Sequence, residues 1–353
     1  MSEGVLQVDD NERLHILTGA VCNNNCLFCM EEDREGRYVH NSAITPEHVR
    51  SLLEGNRDRG EVMFTSGEPT LNPNFLRYVS WAKELGYETI GVITNGRIFS
   101  RIDVVRKAIR AGLNHAVVSI HGGNASLHDR LVRTPGAFKE TLTGIRMLAR
   151  GRSLGLKLHT STVVNRQNMK AEQLVELHSI VGTFVDQMVL NVIQPWGRGE
   201  SYFERLMPRY KDVAHEFSRF LTMVPEGTRA FLIDIPYCAT EGMGIPNMNR
   251  GYVERYVQHD ALEADPLLGH QLSELADGEV EAKGHLELEI APEDSFVGHS
   301  RDLQDQLTKA KRAECSSCVY LSQCDGVWRN YTRRHGWDEF SPVAPGVGGE
   351  AHG

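Results

Sequence analysis

From about residue 12 to 195 the chain alternates short β-branched runs with longer helical stretches, and this alternation restricts its fold more than any other feature. Strands are expected at Arg13–Leu17, Glu61–Thr65, Thr89–Thr94, His115–Ile120, Leu156–Val164 and Gln187–Ile193. Helices are expected at about 45–58, 72–86, 102–112, 136–152 and 168–182. Thr45-Pro46 supplies a capping side chain followed by a proline at the first helical position, where its missing N–H leaves nothing unpaired. Gly86, Gly112 and Gly182 fall at or near the ends of three others as C-terminal stops. Six strands with five intervening helices and short loops read as a repeated βα unit, hence an α/β fold whose parallel sheet curls into a full or partial barrel. Barrels of this kind place their chemistry at the C-terminal ends of the strands.

Beyond residue 195 the alternation breaks. A helix at about 208–223 leads to a strand at Arg229–Ile235 and then to Pro236-Tyr237-Cys238. Residues 239–283 are rich in Gly, Asp and Glu and read as loop with helical pieces; a strand at Leu286–Ile290 and a helix at about 301–313 follow. The division expected is a core barrel over 1–200, a smaller domain over 201–340 and a flexible tail over 341–353.

An apolar fraction of 41% suits a chain with a buried core. With 38 basic and 47 acidic residues the net charge is −9, which disfavours non-specific binding to nucleic acid. No apolar run reaches membrane-spanning length, and the start, MSEGVLQVDDNERLHI, lacks the basic and apolar regions of a signal peptide. The expectation is a cytoplasmic protein with no membrane partner. In that compartment disulfides are disfavoured, so clustered cysteines point to metal. Of the seven cysteines, three fall within eight residues near the N-terminus and three within ten near the C-terminus, with Cys238 between.

Cys22, Cys26 and Cys29 form a C-x3-C-x2-C loop after the first strand. Three thiolates can hold a four-iron cube and leave one iron open, whereas a structural zinc site normally wants four ligands. Further polar motifs follow the next three strands: Ser66-Gly67-Glu68-Pro69, Thr94-Asn95-Gly96, and Ser119 within Val118-Ser119-Ile120-His121. Each alone would pass for a turn, but four in order at one edge of a barrel form a set.

This set resembles the radical S-adenosylmethionine (SAM) superfamily, over about residues 12–195. The resemblance implies a partial (β/α)6 TIM-like barrel and a [4Fe-4S] cluster on Cys22, Cys26 and Cys29 whose open iron is chelated by SAM. It implies reductive cleavage of SAM to a 5′-deoxyadenosyl radical that takes a hydrogen atom from a substrate. A flavodoxin- or ferredoxin-type protein would supply the electron. Phe28 matches the aromatic that packs near the adenine, though it reads equally as a core phenylalanine. Gly67 would let backbone approach the ligand, with Ser66 in place of a first glycine and Pro69 closing the motif. Glu68 would accept from the SAM ammonium. Thr94 and Asn95 would lie near its carboxylate, and Ser119 would bond its ribose or carboxylate. Arg130 and Arg133 could orient SAM or substrate, or be surface charges at a helix start. His121 and Asp129 could be acid–base groups, but read more readily as hydrogen-bonded loop supports.

Cys315, Cys318 and Cys324 form a C-x2-C-x5-C pattern that resembles the SPASM and twitch extensions of the same superfamily. Trp328 stands where SPASM would place its next cysteine, so a twitch-like single-cluster domain is implied. With Cys238 the three would ligate an auxiliary [4Fe-4S] cluster, or alternatively a four-thiolate zinc. Trp328, Tyr331 and Trp337 would shield it. Three plus four ligands use every cysteine, leaving none to return a hydrogen atom to a substrate radical. That favours net oxidation of a small molecule, such as an aminocyclitol or sugar derivative, with the auxiliary cluster taking the electron. Because the cysteine loop starts at residue 22, a leader-gripping N-terminal module is not expected. A compact substrate, or a peptide recruited by a separate protein, is. The alternatives are peptide maturation by cross-linking or epimerisation, and a non-catalytic iron–sulfur or zinc sensor.

Overall fold

The computed structural model describes residues 13–30, 44–247 and 308–344. The six expected strands form as β1 (Leu14–Leu17), β2 (Glu61–Thr65), β3 (Thr89–Thr94), β4 (His115–Ser119), β5 (Lys157–Val164) and β6 (Gln187–Val192). Each pairs in parallel with its neighbour in the chain. Helices α1 (Pro46–Gly55), α2 (Phe75–Glu84), α3 (Ile102–Ala111), α4 (Ala125–Val132), α5 (Ala137–Ala149) and α6 (Ala171–Val181) lie between them. Thr45 caps α1 as expected, its hydroxyl accepting from the His48 N–H at 3.2 Å. The helix α4 is additional. Asn124 caps its start by accepting from the Leu127 N–H, and Arg133 in the left-handed conformation ends it.

A seventh strand corrects the expected count. β7 (Ala230–Ile233) pairs in parallel with β6, so the strand placed beyond the barrel belongs to it. The boundary at 200 cuts through the sheet, because α7 (Tyr210–Met223) is a further crossover helix, packed on α6. Two single turns, Arg198–Ser201 and Phe203–Leu206, interrupt the hydrophobic rhythm without ending the βα repeat. The sheet order is β1 through β7, and its two edge strands do not pair with each other, which leaves the barrel open.

Successive side chains of a strand point to opposite faces. Leu14 and Ile16, Val62 and Phe64, Val92, Ala116 and Val118, Leu158, Leu190 and Leu232 join the main core with the helices. The other face carries polar groups, among them His115 and His159, whose rings meet at 4.6 Å, and Ser161, whose hydroxyl donates to Asn191 Oδ1 at 3.2 Å.

Near the C-terminus, β8 (Lys309–Ala310) pairs antiparallel with β9 (Val327–Trp328), and α8 (Arg329–His335) follows. Strand pairing at Lys309 replaces the end of the expected 301–313 helix; the rest of that helix up to 307, and the strand Leu286–Ile290, lie outside the described residues. Val343 is buried and its carbonyl accepts from the Val319 N–H at 3.0 Å, so the chain stays packed three residues into the expected tail. Among the described residues no helix is long and apolar enough to cross a membrane.

Candidate functional site

The loop after β1 is clasped from several sides. The Asn25 and Leu27 N–H groups donate to the carbonyls of Val132 and Leu131 at the end of α4, both at 2.9 Å. The Val21 carbonyl accepts from the Glu68 N–H at 2.7 Å, tying the loop after β1 to the loop after β2. Within the loop, the Asn24 N–H donates to Cys22 Sγ at 3.4 Å. Cys22, Cys26 and Cys29 are each partly exposed.

Gly67 is required here by space and by conformation. Its φ is +57, and a Cβ would stand 2.4 Å from the Gly19 carbonyl oxygen. Ser66 adopts φ +73, a left-handed conformation that a non-glycine residue adopts at a cost of about 1–2 kcal/mol. Serine thus takes the backbone shape of the glycine it replaces.

Glu68 is only 3% exposed. Its Oε1 accepts from the Thr94 hydroxyl (2.6 Å), the Thr70 hydroxyl (2.5 Å) and the Thr70 N–H (3.2 Å), and its Oε2 from the Asn95 N–H (2.6 Å). Four donors match a carboxylate's capacity of about four. Burial raises the Glu68 pKa, and these hydrogen bonds hold back part of the rise. The expected acceptor for an ammonium is thus a buried knot between the ends of β2 and β3, with Thr94 and Asn95 as its partners. Pro69 opens the short turn that brings Thr70 back to the carboxylate.

Phe28 is buried, its ring edge-on to His121 at 4.7 Å. His121 is a loop support: its Nδ1 accepts from the Val163 N–H and its carbonyl from Asn168 Nδ2, and burial holds its pKa well below the usual value. Asp129 is another, its carboxylate accepting from the Gly136 and Phe138 N–H groups (both 2.7 Å) across the start of α5. Ser119 ends β4 beside Ser161. Arg130 and Arg133 are exposed, with Arg130 donating to Gln167.

Two arginines that the motif reading passed over grip the cysteine loop. Arg97, after β3, donates to the Asn23 carbonyl (2.6 Å) and Asn24 Oδ1 (3.1 Å). Arg198, after β6, donates to the Cys26 carbonyl (2.8 Å) and Asn25 Oδ1 (2.6 Å). Asn95 Nδ2 adds a bond to Asn23 Oδ1 at 2.6 Å. The asparagine run between Cys22 and Cys26 was the available signal: three consecutive short amides offer acceptors to whatever flanks them.

The remaining four cysteines converge elsewhere. Cys238 lies on the turn Tyr237–Thr240 after β7, and with Cys315, Cys318 and Cys324 it lines one partly open cavity. Tyr237, Tyr320, Trp337 and Phe340 form much of the rest of the wall. Burial, then the neighbouring Cys324 sulfur, push the Cys238 thiol up to about 11. Trp337 lines the cavity, Trp328 sits in a smaller cavity beside Cys324, and Tyr331 is buried further off against Tyr210. Among the described residues no three His, Cys, Asp or Glu side chains are drawn together around a single-ion position.

Residues 16–178 match the family model of the Radical SAM superfamily. Those residues form a radical SAM domain. Curated relatives include a probable GTP 3′,8-cyclase of Saccharolobus solfataricus, 30% identical over 196 residues, which are 55% of this chain and 60% of that one. The AdoMet-dependent heme synthase of Methanosarcina barkeri is 27% identical over 201 residues, 56% of this chain and 55% of that one. The chain thus spans somewhat over half the length of these relatives. In fold it is similar to Streptococcus suis SuiB bound to S-adenosylmethionine, with a TM-score of 0.51 at 14% identity, covering 94% of this chain and 75% of that one.

A radical SAM domain implies a [4Fe-4S] cluster and SAM, and the donor set fits: three partly exposed thiols on one loop, the number that holds a four-iron cube and leaves one iron open.

Proposed function

We propose that this radical SAM enzyme dehydrogenates a small molecule, with a second [4Fe-4S] cluster on Cys238, Cys315, Cys318 and Cys324 as the electron acceptor. The observation that carries the proposal is the shared cavity of those four cysteines, which leaves no thiol over to donate a hydrogen atom. When bound, the cluster on Cys22, Cys26 and Cys29 supplies the electron that splits SAM into methionine and a 5′-deoxyadenosyl radical. The chain's own residues hold that site in shape. Glu68 locks the loop after β2 to Thr94 and Asn95, Gly67 lets that loop lie against the backbone of Gly19 and Val21, and Phe28 and His121 fill the space beneath. Ser66, Gly67, Thr94, Asn95 and Ser119 sit at the strand ends where SAM would lie.

A four-thiolate zinc needs the same ligand number, and the radical SAM motifs in the same chain favour an iron–sulfur cluster over it. The relatives named for GTP and heme favour a small-molecule substrate over a peptide. A flavodoxin- or ferredoxin-type protein is the proposed electron donor, and the cytoplasm the proposed location.

Anaerobic reconstitution followed by iron, sulfide and zinc analysis, beside dithionite-driven release of 5′-deoxyadenosine, tests the proposal. About eight irons per chain with SAM cleavage is the expected result. About four irons with one zinc would remove the electron acceptor and sink the dehydrogenase reading.

A further inference from the structure

The segment after β6, Pro195–Leu206, touches both cysteine regions. Toward the N-terminal loop, Arg198 Nη1 donates to the Cys26 carbonyl and to Asn25 Oδ1, and its backbone N–H donates to the Cys29 carbonyl at 3.0 Å. Gly197 turns at φ +53, where a Cβ would stand 2.4 Å from the Met30 carbonyl oxygen. Toward the C-terminal region, the Pro195 carbonyl accepts from Asn330 Nδ2, and Glu200 pairs with Arg334 at 3.6 Å. Phe203 lies against His335 at 5.2 Å, with the Arg334 guanidinium 4.3 Å from its ring centre. Arg166 fixes the far end through the Glu204 and Met207 carbonyls. Asn330 and Arg334 stand on α8, which follows directly from β9 and so from Cys324.

We propose that Arg198 is a positioning residue for the radical SAM cluster, and that Pro195–Leu206 couples this cluster's surroundings to the C-terminal cysteine module. The proposal rests on Cys22, Cys26 and Cys29 being cluster ligands. Arg198 carries a permanent charge and a rigid set of donors. Its guanidinium holds the Cys26 carbonyl and its backbone N–H that of Cys29, and the side chain adds a cation beside the loop of the three thiols. Hydrogen bonding and local charge are among the terms that set a cluster's potential, and groups one layer out orient the ligands themselves. A shift of α8 would reach Arg198 through Pro195, Glu200 and Phe203, all within one short segment.

The test uses the full reconstituted chain. The N-terminal cluster is read by the EPR spectrum of its reduced state with and without SAM, by its reduction potential and by its SAM affinity. R198A is expected to keep its iron, to lose about 10-fold or more in SAM affinity and to shift the potential. R198K recovers part of the affinity. N330A and R334A, both outside the cysteine loops, shift the SAM-dependent EPR signal in the same direction, and add nothing in the R198A background. Wild-type affinity, potential and EPR in R198A would overturn the positioning role. Shifts from R198A with none from N330A or R334A, or additive ones, would overturn the coupling. Where R198A fails to fold, R198K and the two α8 variants carry the same readouts. Wild-type protein with no iron on Cys22, Cys26 and Cys29, or with no EPR response to SAM, would overturn the underlying reading instead.

Discussion

The N-terminal cysteine loop is held by hydrogen bonds from separate barrel elements: the end of α4 and the loops after β2, β3 and β6. The C-terminal cysteines sit among short turns, a two-stranded pairing and aromatic rings. The first arrangement is directional, because each bond fixes a distance and an angle. The second has directional bonds as well, the Gly326 N–H to Cys324 Sγ and the Val343 N–H to Cys318 Sγ among them, but these join residues of its own segment rather than separate barrel elements. The difference teaches that the first site is preset by the barrel, while the second is set mostly within its own short segment.

The largest effect that can break this comparison is expected from Gly67→Ala. The added methyl would overlap the Gly19 carbonyl in a left-handed conformation, so the loops after β1 and β2 cannot keep their contact. Release of 5′-deoxyadenosine should fall to background while iron at the C-terminal cysteines stays bound, as read by product chromatography beside iron analysis. Normal cleavage by this variant would mean that the N-terminal loop is no more preset than the other.

Cys318→Ser sharpens the other half. Iron is expected to fall from about eight to about four per chain. Turnover of substrate should be lost while SAM cleavage continues within several-fold of the wild type. The C-terminal region should become more open to proteolysis than the barrel, because most of the core lies between Leu14 and Ala239, with only Val327, Trp328, Tyr331 and Phe340 added from the C-terminal side.

The smallest effect concerns the face of the barrel away from its helices. Burial, reinforced by His115 beside it, pushes His159 down to about 3. In the unfolded chain it titrates near about 6.5. Between these values the unfolded state takes up a proton that the folded state refuses, so this contribution to stability is lost as pH falls from about 6.5 toward 3. The urea midpoint should be lower at pH 5 than at pH 7.5, and H159N should flatten that dependence. An unchanged slope in H159N would place the pH sensitivity elsewhere.

Much of the barrel was legible because βα units are local. Six strands were readable from short β-branched runs, and α1 from Thr45-Pro46. The three cysteines and the motifs after β2, β3 and β4 were legible because their spacing is short. What escaped reading was set by distant partners. β7 was placed outside the barrel because two single turns break the rhythm before it, though its pairing with β6 depends only on α7 as a crossover. The partners of Glu68 in the structure, Thr94 and Asn95, stand 26 and 27 residues away, and no sequence pattern shows those bonds. The grip of Arg198 on Cys26 spans 172 residues and leaves no periodic trace.

By itself the sequence determined the α/β repeat, the radical SAM motifs and the division of seven cysteines into three and four. Each follows from chemistry or periodicity within a few residues. Only the tertiary structure decided that the Glu68 carboxylate bonds Thr94 and Asn95 across the ends of β2 and β3. It also decided that Arg97 and Arg198 close on the cysteine loop. Those outcomes depend on which strand ends the barrel brings side by side, and curvature and register fix that only once the whole sheet has formed.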